Sequence, residues 1–257
     1  MKIGFFDSGL GGLVVMNAVR TLLPQYDYVF YGDTANLPYG DKTEEEIYEL
    51  TRDGVEQLFE QDCALVIIAC NTASAETLRR LQDTWLKTEY PDRKLLGVIV
   101  PMAEEVVECH AKRAVLIATN RTVSSGKYER VFETLKHAPS LFSIPTPGLV
   151  PLIERGEIDE AFYLVNDIVQ EALAAGADSL ILGCTHYALL RSLLHERYGN
   201  ELMIFSPDQV IPKKVFKYLE RHPEIEETLT LGGSVQLELS EHRPEYELFL
   251  RSVQTKK

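Results

Sequence analysis

The sequence has few of the features that mark membrane proteins, secreted proteins or proteins that bind nucleic acid. Its longest apolar runs are six to eight residues, too short to cross a bilayer. The chain opens directly on a strand-like segment, so we expect no secretory signal. Its 26 basic residues are outnumbered by 39 acidic ones, a net charge of −13, whereas nucleic acid or an anionic membrane needs a basic patch. We therefore expect a cytoplasmic protein without nucleic-acid or membrane partners.

Cysteine is also scarce, at four residues in 257. Without a secretory signal, we expect these cysteines to be free thiols rather than a disulfide framework. A structural zinc site needs four ligands. Cysteine stands close to histidine only at Cys109-His110 and at Cys184-Thr185-His186, and the two spacings do not match. We predict no metal site.

Short apolar runs alternate with segments of helical spacing along most of the chain. This alternation predicts an α/β protein with mainly parallel sheets covered by helices. The predicted strands span residues 2–6, 27–31, 64–69, 95–99, 113–118, 178–182, 201–205 and 228–231, and the predicted helices span residues 42–61, 73–88, 157–175 and 187–198.

The plan of the chain repeats once. Asp7 ends the first strand-like segment, and Cys70 lies 63 positions later. Thr119 follows the predicted strand at 113–118, and Cys184 lies 65 positions later. We predict two pseudo-symmetric α/β lobes with an active site in the cleft between them. The first lobe comprises residues 1–97 and 207–257, and the second comprises residues 98–206.

Two of the cysteines are candidates for chemistry. Cys70 and Cys184 each end an apolar run and precede small polar residues and a helix. A thiol there lies at the carboxyl end of a strand, where open α/β sheets bind ligands. It also lies at a helix N-terminus, whose dipole favours the thiolate. The alternative is a buried structural cysteine, which is our interpretation of Cys63 and Cys109, since neither has this context.

Two kinds of chemistry fit these thiols. Imidazole beside a thiol activates the nucleophile of cysteine hydrolases, so Cys184 with His186 could form such a pair, which leaves Cys70 without a role. Alternatively, one thiolate removes an α-proton while an opposed thiol supplies a proton to the other face, as inversion of a carbon centre requires. An α-proton is far less acidic than a thiol, so that site must also supply hydrogen-bond donors and exclude water.

Other polar segments follow predicted strands. Residues 7–12 bring backbone N–H groups toward a ligand at a helix start, which suits a small carboxylate. Because this segment is neither GxGxxG nor a P-loop, we predict no nucleotide cofactor. Residues 33–40 are interpreted as an ordinary turn, and residues 119–126 either hold a carboxylate or cap a helix. Glu154 is interpreted as a solvated helix residue.

Taken together, four segments resemble the signatures of the glutamate racemase family. They are Asp7–Gly12, Pro38–Gly40, Ala69–Ala73 and Leu182–Tyr187. The resemblance runs in order from the first strand to about residue 205. The Cys-Asn-Thr and Gly-Cys-Thr-His-Tyr motifs are specific to the aspartate/glutamate racemase superfamily, and the Asp-Ser-Gly-x-Gly-Gly opening points to its glutamate branch.

This resemblance implies a cofactor-independent racemase, often a homodimer, that interconverts L- and D-glutamate and supplies D-glutamate for peptidoglycan. It implies that Cys70 and Cys184 are the acid/base residues. Asp7 would assist Cys70, and His186 and Glu154 would assist Cys184. The substrate-binding set that it implies is Asp7, Ser8, Tyr39, Gly40, Asn71, Thr72, Thr119, Thr122, Thr185 and His186.

The chain departs from the family pattern at Val100, Ala188 and Phe205, where glutamate, proline and aspartate are usual. None of these positions holds a proposed acid/base residue. Within the superfamily, the alternative is a racemase of aspartate or another acidic amino acid. A protein that binds glutamate without turning it over is a third interpretation.

Overall fold

The computed structural model describes residues 1–244, 246–247 and 249–250. The predicted first lobe also includes residues 245, 248 and 251–257, which lie outside the described residues. Within the described part, no helix combines the length and the apolarity that a membrane span requires.

In the part of the chain that the structure describes, two separate sheets form the framework, and every pairing within them is parallel. The first sheet has the order β4-β3-β1-β2-β9 and the second the order β6-β5-β7-β8. The strands are β1 Lys2–Asp7, β2 Tyr28–Gly32, β3 Cys63–Ile68, β4 Lys94–Gly97, β5 Arg113–Ala118, β6 Ser140–Pro145, β7 Ser179–Gly183, β8 Met203–Phe205 and β9 Val235–Leu239.

The two sheets share one plan, because β4-β3-β1-β2 in the first corresponds to β8-β7-β5-β6 in the second. The predicted α/β class with parallel sheets is confirmed.

The helices of the structure are α1 Gly12–Leu22, α2 Glu44–Glu60, α3 Asn71–Asp83, α4 Trp85–Glu89, α5 Ile99–Glu108, α6 Asn120–Ser124, α7 Lys127–Thr134, α8 Leu149–Glu154, α9 Ile158–Ala174, α10 Arg191–Tyr198, α11 Pro207–Arg221 and α12 Pro223–Glu226. Short 3₁₀ helices span Thr34–Asn36, Tyr39–Asp41 and His186–Leu190.

Strands β1, β2 and β3 of the first sheet are covered on both faces, which explains why they are nearly continuous apolar runs. Successive side chains of a strand point to opposite faces. Ile3 and Phe5 of β1 therefore join the core on the α1 side, whereas Phe6 joins the core on the α2 side. Helix α2 begins with a capping box between Thr43 and Glu46, and the acidic first turn suits the positive end of the helix dipole.

One core runs continuously between the two sheets. It contains Phe5 and Ile67 of the first sheet together with Leu116 and Ile181 of the second. Helix α11 contributes to this core and contacts both α1 and α5, and α5 packs against β8. The two sheets are therefore held together by apolar burial as well as by the polar contacts of the site.

The predicted elements differ from the structure mainly at edge strands. Strand β6 was not predicted, since its side chains are half-buried or exposed and carry no clear alternation. The strand expected at residues 228–231 is wrong, because that segment is a turn after α12 and the strand is β9 instead. The expected helix at residues 73–88 is divided at Thr84 into α3 and α4.

Gly54 of α2 marks the closest approach of that helix to the first sheet. A Cβ atom at this position would lie 2.7 Å from Phe6 Cδ2 and 3.1 Å from Tyr31 Cε1. We expect Gly54→Ala to lower the free energy of unfolding by about 1–3 kcal/mol, because both rings are packed against the sheet. Urea denaturation measures this change.

Gln57→Ala, at an exposed position of the same helix, is the control and should change stability by less than about 0.5 kcal/mol. A Gly54→Ala protein as stable as the parent would contradict the close packing of α2 on β1.

Candidate active site

Cys70 connects β3 to α3 and serves as the N-cap of that helix. Its Sγ accepts a hydrogen bond from the Ala73 backbone N–H at 3.4 Å and lies 3.3 Å from Ser8 Oγ. The register of β1 with β3 pairs Phe6 with Ile68. Ser8 and Cys70 follow those two residues by the same two steps, so the parallel pairing brings them together at the carboxyl edge of the sheet.

The Cys70 thiol is buried, and burial raises its pKa to about 12, with the nearby Asp7 acting in the same direction. The hydrogen bonds from Ala73 and Ser8 lower the pKa but do not reverse this shift. Since the N-terminal position on α3 would by itself favour the thiolate, burial outweighs the helix here. Cys70 is therefore a protonated thiol at neutral pH.

Asp7 is fully buried at the end of β1. One carboxylate oxygen accepts the Gly9 backbone N–H at 3.2 Å, and the other accepts the Thr185 hydroxyl at 3.4 Å. Burial raises the pKa of Asp7, although the charge of His186 and these hydrogen bonds oppose the shift. Asp7 thus joins the end of the first sheet to the segment that follows β7 in the second.

Cys184 follows β7 and begins a three-membered array. Its Sγ lies 3.8 Å from Nδ1 of His186, and Nε2 of His186 lies 3.0 Å from a carboxylate oxygen of Glu154. Burial alone would lower the pKa of His186, but its hydrogen bonds with Cys184 and Glu154 outweigh burial and raise that pKa well above the usual value. The imidazole therefore holds a proton between a sulfur atom and a carboxylate.

The loop after β1 lies against this array. A Cβ atom on Gly11 would lie 2.6 Å from His186 Nδ1 and closer still to the Thr185 hydroxyl. Only glycine allows the backbone to pass so near. The glycine-rich segment after β1 therefore supports the Cys184 side of the site, in addition to starting α1.

Both thiols line one cavity of about 230 Å³. Pockets for drug-sized ligands span roughly 300–1,000 Å³, so this cavity suits a molecule the size of one amino acid. Cys70 enters it from the first sheet and Cys184 from the second. The other lining residues are Ser8, Leu37, Pro38, Tyr39, Gly40, Asp41, Asn71, Thr72, Thr119, Asn120, Thr146, Pro147, Gly148, Val150, Pro151, Thr185 and His186.

Hydrogen-bonding groups from both sheets meet at the N-terminus of α3. The hydroxyls of Thr72, Thr119 and Thr122 form a triangle with sides of 3.0 to 3.1 Å. The Tyr128 hydroxyl donates to Asn71 Oδ1 at 2.8 Å, whereas the buried Asn71 Nδ2 has no partner among the described residues. Because Asn71 lines the cavity, that unpaired donor is suited to bind an acceptor on a ligand.

The loop between β2 and α2 forms another wall of the cavity. Tyr39 donates to the buried Asp33 carboxylate at 2.7 Å, and Asp33 also accepts a hydrogen bond from Ser240 Oγ at 2.9 Å. Ser240 directly follows β9, so the C-terminal edge strand helps to hold this loop. The expectation of an ordinary turn at residues 33–40 therefore understated its part in the site.

The structure brings most of the predicted site residues to the cavity wall. Asp7, Thr122 and Glu154 do not line it and instead contact residues that do. Glu154 is not simply a solvated helix residue, because it pairs with His186. The three departures from the family pattern, Val100, Ala188 and Phe205, are absent from the described cavity wall.

Sequence reasoning missed Tyr128 and the wall formed by Thr146–Pro151. Tyr128 lies inside a helix and has no neighbouring motif. Thr146–Pro151 follows β6, the strand that was not predicted. A correct prediction of β6 would have placed Thr146 and the turn that follows it at the carboxyl end of this strand, where such sheets bind ligands.

A family model described as Asp/Glu/Hydantoin racemase matches residues 14–207 of the chain. Glutamate racemase from Dinoroseobacter shibae is 38% identical over 88% of this chain and 86% of its own length. The glutamate racemase of Roseobacter denitrificans is 37% identical over 87% of each chain. A solved glutamate racemase isoform from Bacillus anthracis superposes with a TM-score of 0.83 at 26% identity, covering 100% of this chain and 94% of that one.

The contact between Glu154 and His186 leads to a testable pKa change. Glu154→Gln keeps a hydrogen-bond acceptor but removes the negative charge that favours imidazolium. We expect the pKa of His186 to fall in this variant. Titration of the ¹⁵N-labelled imidazole by NMR measures it.

Glu224→Gln is the matched control, because Glu224 pairs with the exposed His222 at 2.8 Å and lies outside the site. It should leave the pKa of His186 unchanged. An unchanged pKa of His186 in Glu154→Gln would show that this carboxylate does not hold the imidazole proton.

Proposed function

The chain belongs to the Asp/Glu/hydantoin racemase family, and we propose that it is a cofactor-independent racemase that interconverts L- and D-glutamate. Cys70 and Cys184 would act as the two acid/base groups. One observation carries the proposal: the two thiols line a single cavity of about 230 Å³ and come from different sheets. Two groups so arranged can reach a bound α-carbon from different sides, as inversion requires.

Glutamate is the substrate that the relatives support, since those at 37–38% identity are named glutamate racemases. The protein has a net charge of −13, and the described cavity wall contains no lysine or arginine. Apart from the protonated His186, an anionic substrate must therefore be held by neutral donors and by helix ends. Asn71 Nδ2, the threonine hydroxyls and the N-terminus of α3 supply such donors.

The same wall supports a reaction without pyridoxal phosphate. Enzymes that use this cofactor hold it through a lysine Schiff base, and the described residues lining the cavity include no lysine. Proton transfer would then rest on the side chains alone. The side chains of Cys70, Asn71, Thr72, Cys184, Thr185 and His186 are buried. They would hold the reacting carbon away from water, where hydrogen bonds to developing charge are strongest.

Cys70 would begin turnover in its protonated form. Cys70 is a thiol at neutral pH, because burial and Asp7 raise its pKa to about 12. In one direction the Cys184 sulfur would take the α-proton, and the electron pair of the broken C–H bond would stay on the α-carbon. Cys70 would then deliver its thiol proton to the other face of that carbon. After this step Cys184 is a thiol and Cys70 is a thiolate. These are the protonation states that the reverse direction requires. Exchange with solvent would restore the starting state.

The Cys–His hydrolase interpretation accounts for less of the site. Cys184, His186 and Glu154 do form an array like that of a cysteine nucleophile with its base. That interpretation gives no role to Cys70, which lines the same cavity. Aspartate remains the alternative substrate, and a parallel assay with aspartate addresses it.

The cellular role follows from the proposed reaction. We infer that the protein supplies D-glutamate for peptidoglycan in the cytoplasm and does so as a homodimer. The assignment of residues 1–97 and 207–257 to one lobe and 98–206 to the other also stays a prediction. It is supported by β9, which joins the first sheet beside β2.

Isotope exchange tests the two-thiol mechanism. In D₂O, the parent protein should convert L-glutamate to D-glutamate and place deuterium at Cα, with little activity on aspartate. Cys70→Ala and Cys184→Ala should each lose about 10²–10⁴-fold in racemisation, the usual contribution of a positioned acid/base group. Chiral chromatography with mass spectrometry measures both quantities.

Each single variant keeps one thiol, which can remove a proton and return deuterium only to the same face. Cys70→Ala should therefore exchange one enantiomer without inversion, and Cys184→Ala the other. Cys63→Ala, outside the cavity, is the control and should racemise like the parent. Racemisation that persists in Cys70→Ala would rule out the two-thiol mechanism, and glutamate that binds without exchange in the parent would rule out the enzyme.

The unequal surroundings of the thiols predict unequal pH profiles. The equilibrium constant of a racemisation is one, so kcat/KM must be the same for both enantiomers at every pH, and the difference must appear in kcat. In the direction in which Cys70 is the base, kcat should rise with pH across the range below its pKa of about 12. In the opposite direction Cys70 is the acid and must be protonated. This condition is met at every pH below the pKa of Cys70, so the titration of Cys70 should not raise kcat in that direction. Identical kcat profiles for the two enantiomers would contradict this assignment.

A further inference from the structure

A second set of contacts joins α3 to the helix that follows β5. Glu76 of α3 faces Arg121 of α6, with Arg121 Nε 2.8 Å from Glu76 Oε1. Arg121 Nη2 also donates to Glu76 Oε2 at 3.2 Å. The guanidinium thus approaches both carboxylate oxygens, with one hydrogen bond and one close contact of opposite charges.

This ion pair lies next to the hydroxyl triangle of the site. Glu76 is four residues after Thr72 on α3, so the two side chains share one face of the helix. Arg121 stands between Asn120, which lines the cavity, and Thr122, whose hydroxyl is 3.1 Å from Thr72 Oγ1. The same two helices are therefore joined first by hydroxyl groups at the cavity and then by opposite charges behind it.

The pair is shielded from water. The Glu76 side chain is 7% exposed and that of Arg121 is 28% exposed. Glu76 Oε1 and Arg121 Nε are fully buried and have no hydrogen-bond partner among the described residues, so each depends on the opposite charge beside it. For such pairs, removal of one partner costs far more than removal of both, since a lone charge is left without water.

The position of α3 matters because its first turn carries the chemistry. Cys70 caps the helix, and Asn71 and Thr72 begin it. A shift of α3 relative to α6 would move these three residues relative to Cys184 on the other side of the cavity. Misplacement by about 1 Å can reduce turnover 10²-fold.

We propose that Glu76 and Arg121 form a positioning pair that fixes α3 against α6 and so sets the distance between the Cys70 and Cys184 sides of the cavity. The kinetic part of this inference rests on the proposed racemase function. Neither residue touches the cavity, so the pair acts through the helices that carry Thr72 and Thr119.

The kinetic test compares Glu76→Gln, Arg121→Gln and the double variant with L-glutamate as substrate. Each single change should lower kcat about tenfold, while the double variant should recover to within about threefold of the parent, because it leaves no unpaired charge. Arg121→Lys keeps the charge without the planar fork and should fall between the two. A pair without positioning function would leave kcat at the parent value in every variant.

Arg80 and Glu45 provide a matched control. Arg80 lies on α3, like Glu76, and donates two hydrogen bonds to the Glu45 carboxylate, at 2.5 and 3.0 Å. Because Glu45 belongs to α2, this pair joins α3 to α2 rather than to α6. Their side chains are 43% and 63% exposed, and exposed pairs contribute little. Arg80→Gln should leave kcat unchanged. An equal loss of kcat in Arg80→Gln would overturn a specific role for Glu76 and Arg121.

A readout independent of turnover is the rate at which iodoacetamide alkylates Cys70. Cys70 is buried, whereas Cys109 is exposed and serves as an internal reference in the same peptide-resolved mass spectrum. Glu76→Gln and Arg121→Gln should raise the Cys70-to-Cys109 ratio about tenfold, as expected when opening costs about 1.4 kcal/mol less. Arg80→Gln should not change it.

The two proposals can fail separately. If the parent protein exchanges no deuterium, the racemase proposal fails, and the alkylation ratio still tests the pair. If Glu76→Gln does not fold, Arg121→Gln and Arg121→Lys carry the test, since Arg121 is the more exposed partner. Parent-like alkylation ratios in these variants would overturn the positioning role.

Discussion

The parallel pairing of β1 with β3, and of β5 with β7, fixes where the two thiols of the site and the polar residues beside them can lie. In each sheet a strand followed by a polar residue runs beside a strand followed by a cysteine. The pairing therefore delivers Ser8 to Cys70 and Thr119 to the neighbourhood of Cys184. Because the two sheets share one strand order, a single arrangement is built twice, and the two copies meet at their carboxyl edges. The cavity is the space between those edges.

The contacts that join the sheets at this place are made largely by the site residues themselves. Asp7 accepts from Thr185, Asn71 from Tyr128, and Thr72 meets Thr119. Association of the sheets and assembly of the site are therefore the same event.

The surroundings of the two thiols differ. Cys70 lies beside a buried carboxylate and stays protonated, whereas Cys184 lies beside an imidazole whose proton is held by Glu154. An otherwise symmetric fold thus contains an asymmetric pair of acid/base groups.

Much of this arrangement could be predicted from the sequence, because it depends on local patterns. Apolar runs that stop at Cys70 and Cys184 predicted strand ends, and the matching 63- and 65-residue intervals predicted the repeated plan. The edge strand β6 could not be located in this way, since its residues carry no clear alternation. Strand β9 does alternate, as Val-Gln-Leu-Glu-Leu, but the strand was expected at residues 228–231 instead. Partners such as Tyr128 for Asn71, or Arg121 for Glu76, are separated by 57 and 45 residues. Nothing in their local sequence marks them, because the contact exists only once both sheets have formed.

Strand β9 lies at one edge of the first sheet and is the last strand of that sheet in the sequence. It pairs with β2, and Ser240 just beyond it holds Asp33, which in turn holds Tyr39 at the cavity. Residues from early and late in the chain therefore complete one layer, while the described strands of the second sheet all lie within residues 113–205. A ribosome synthesises about 5–20 residues each second. The strands β5 to β8 of the second sheet are therefore synthesised before β9, the fifth strand of the first sheet. The half of the protein that is synthesised first is the half that is finished last.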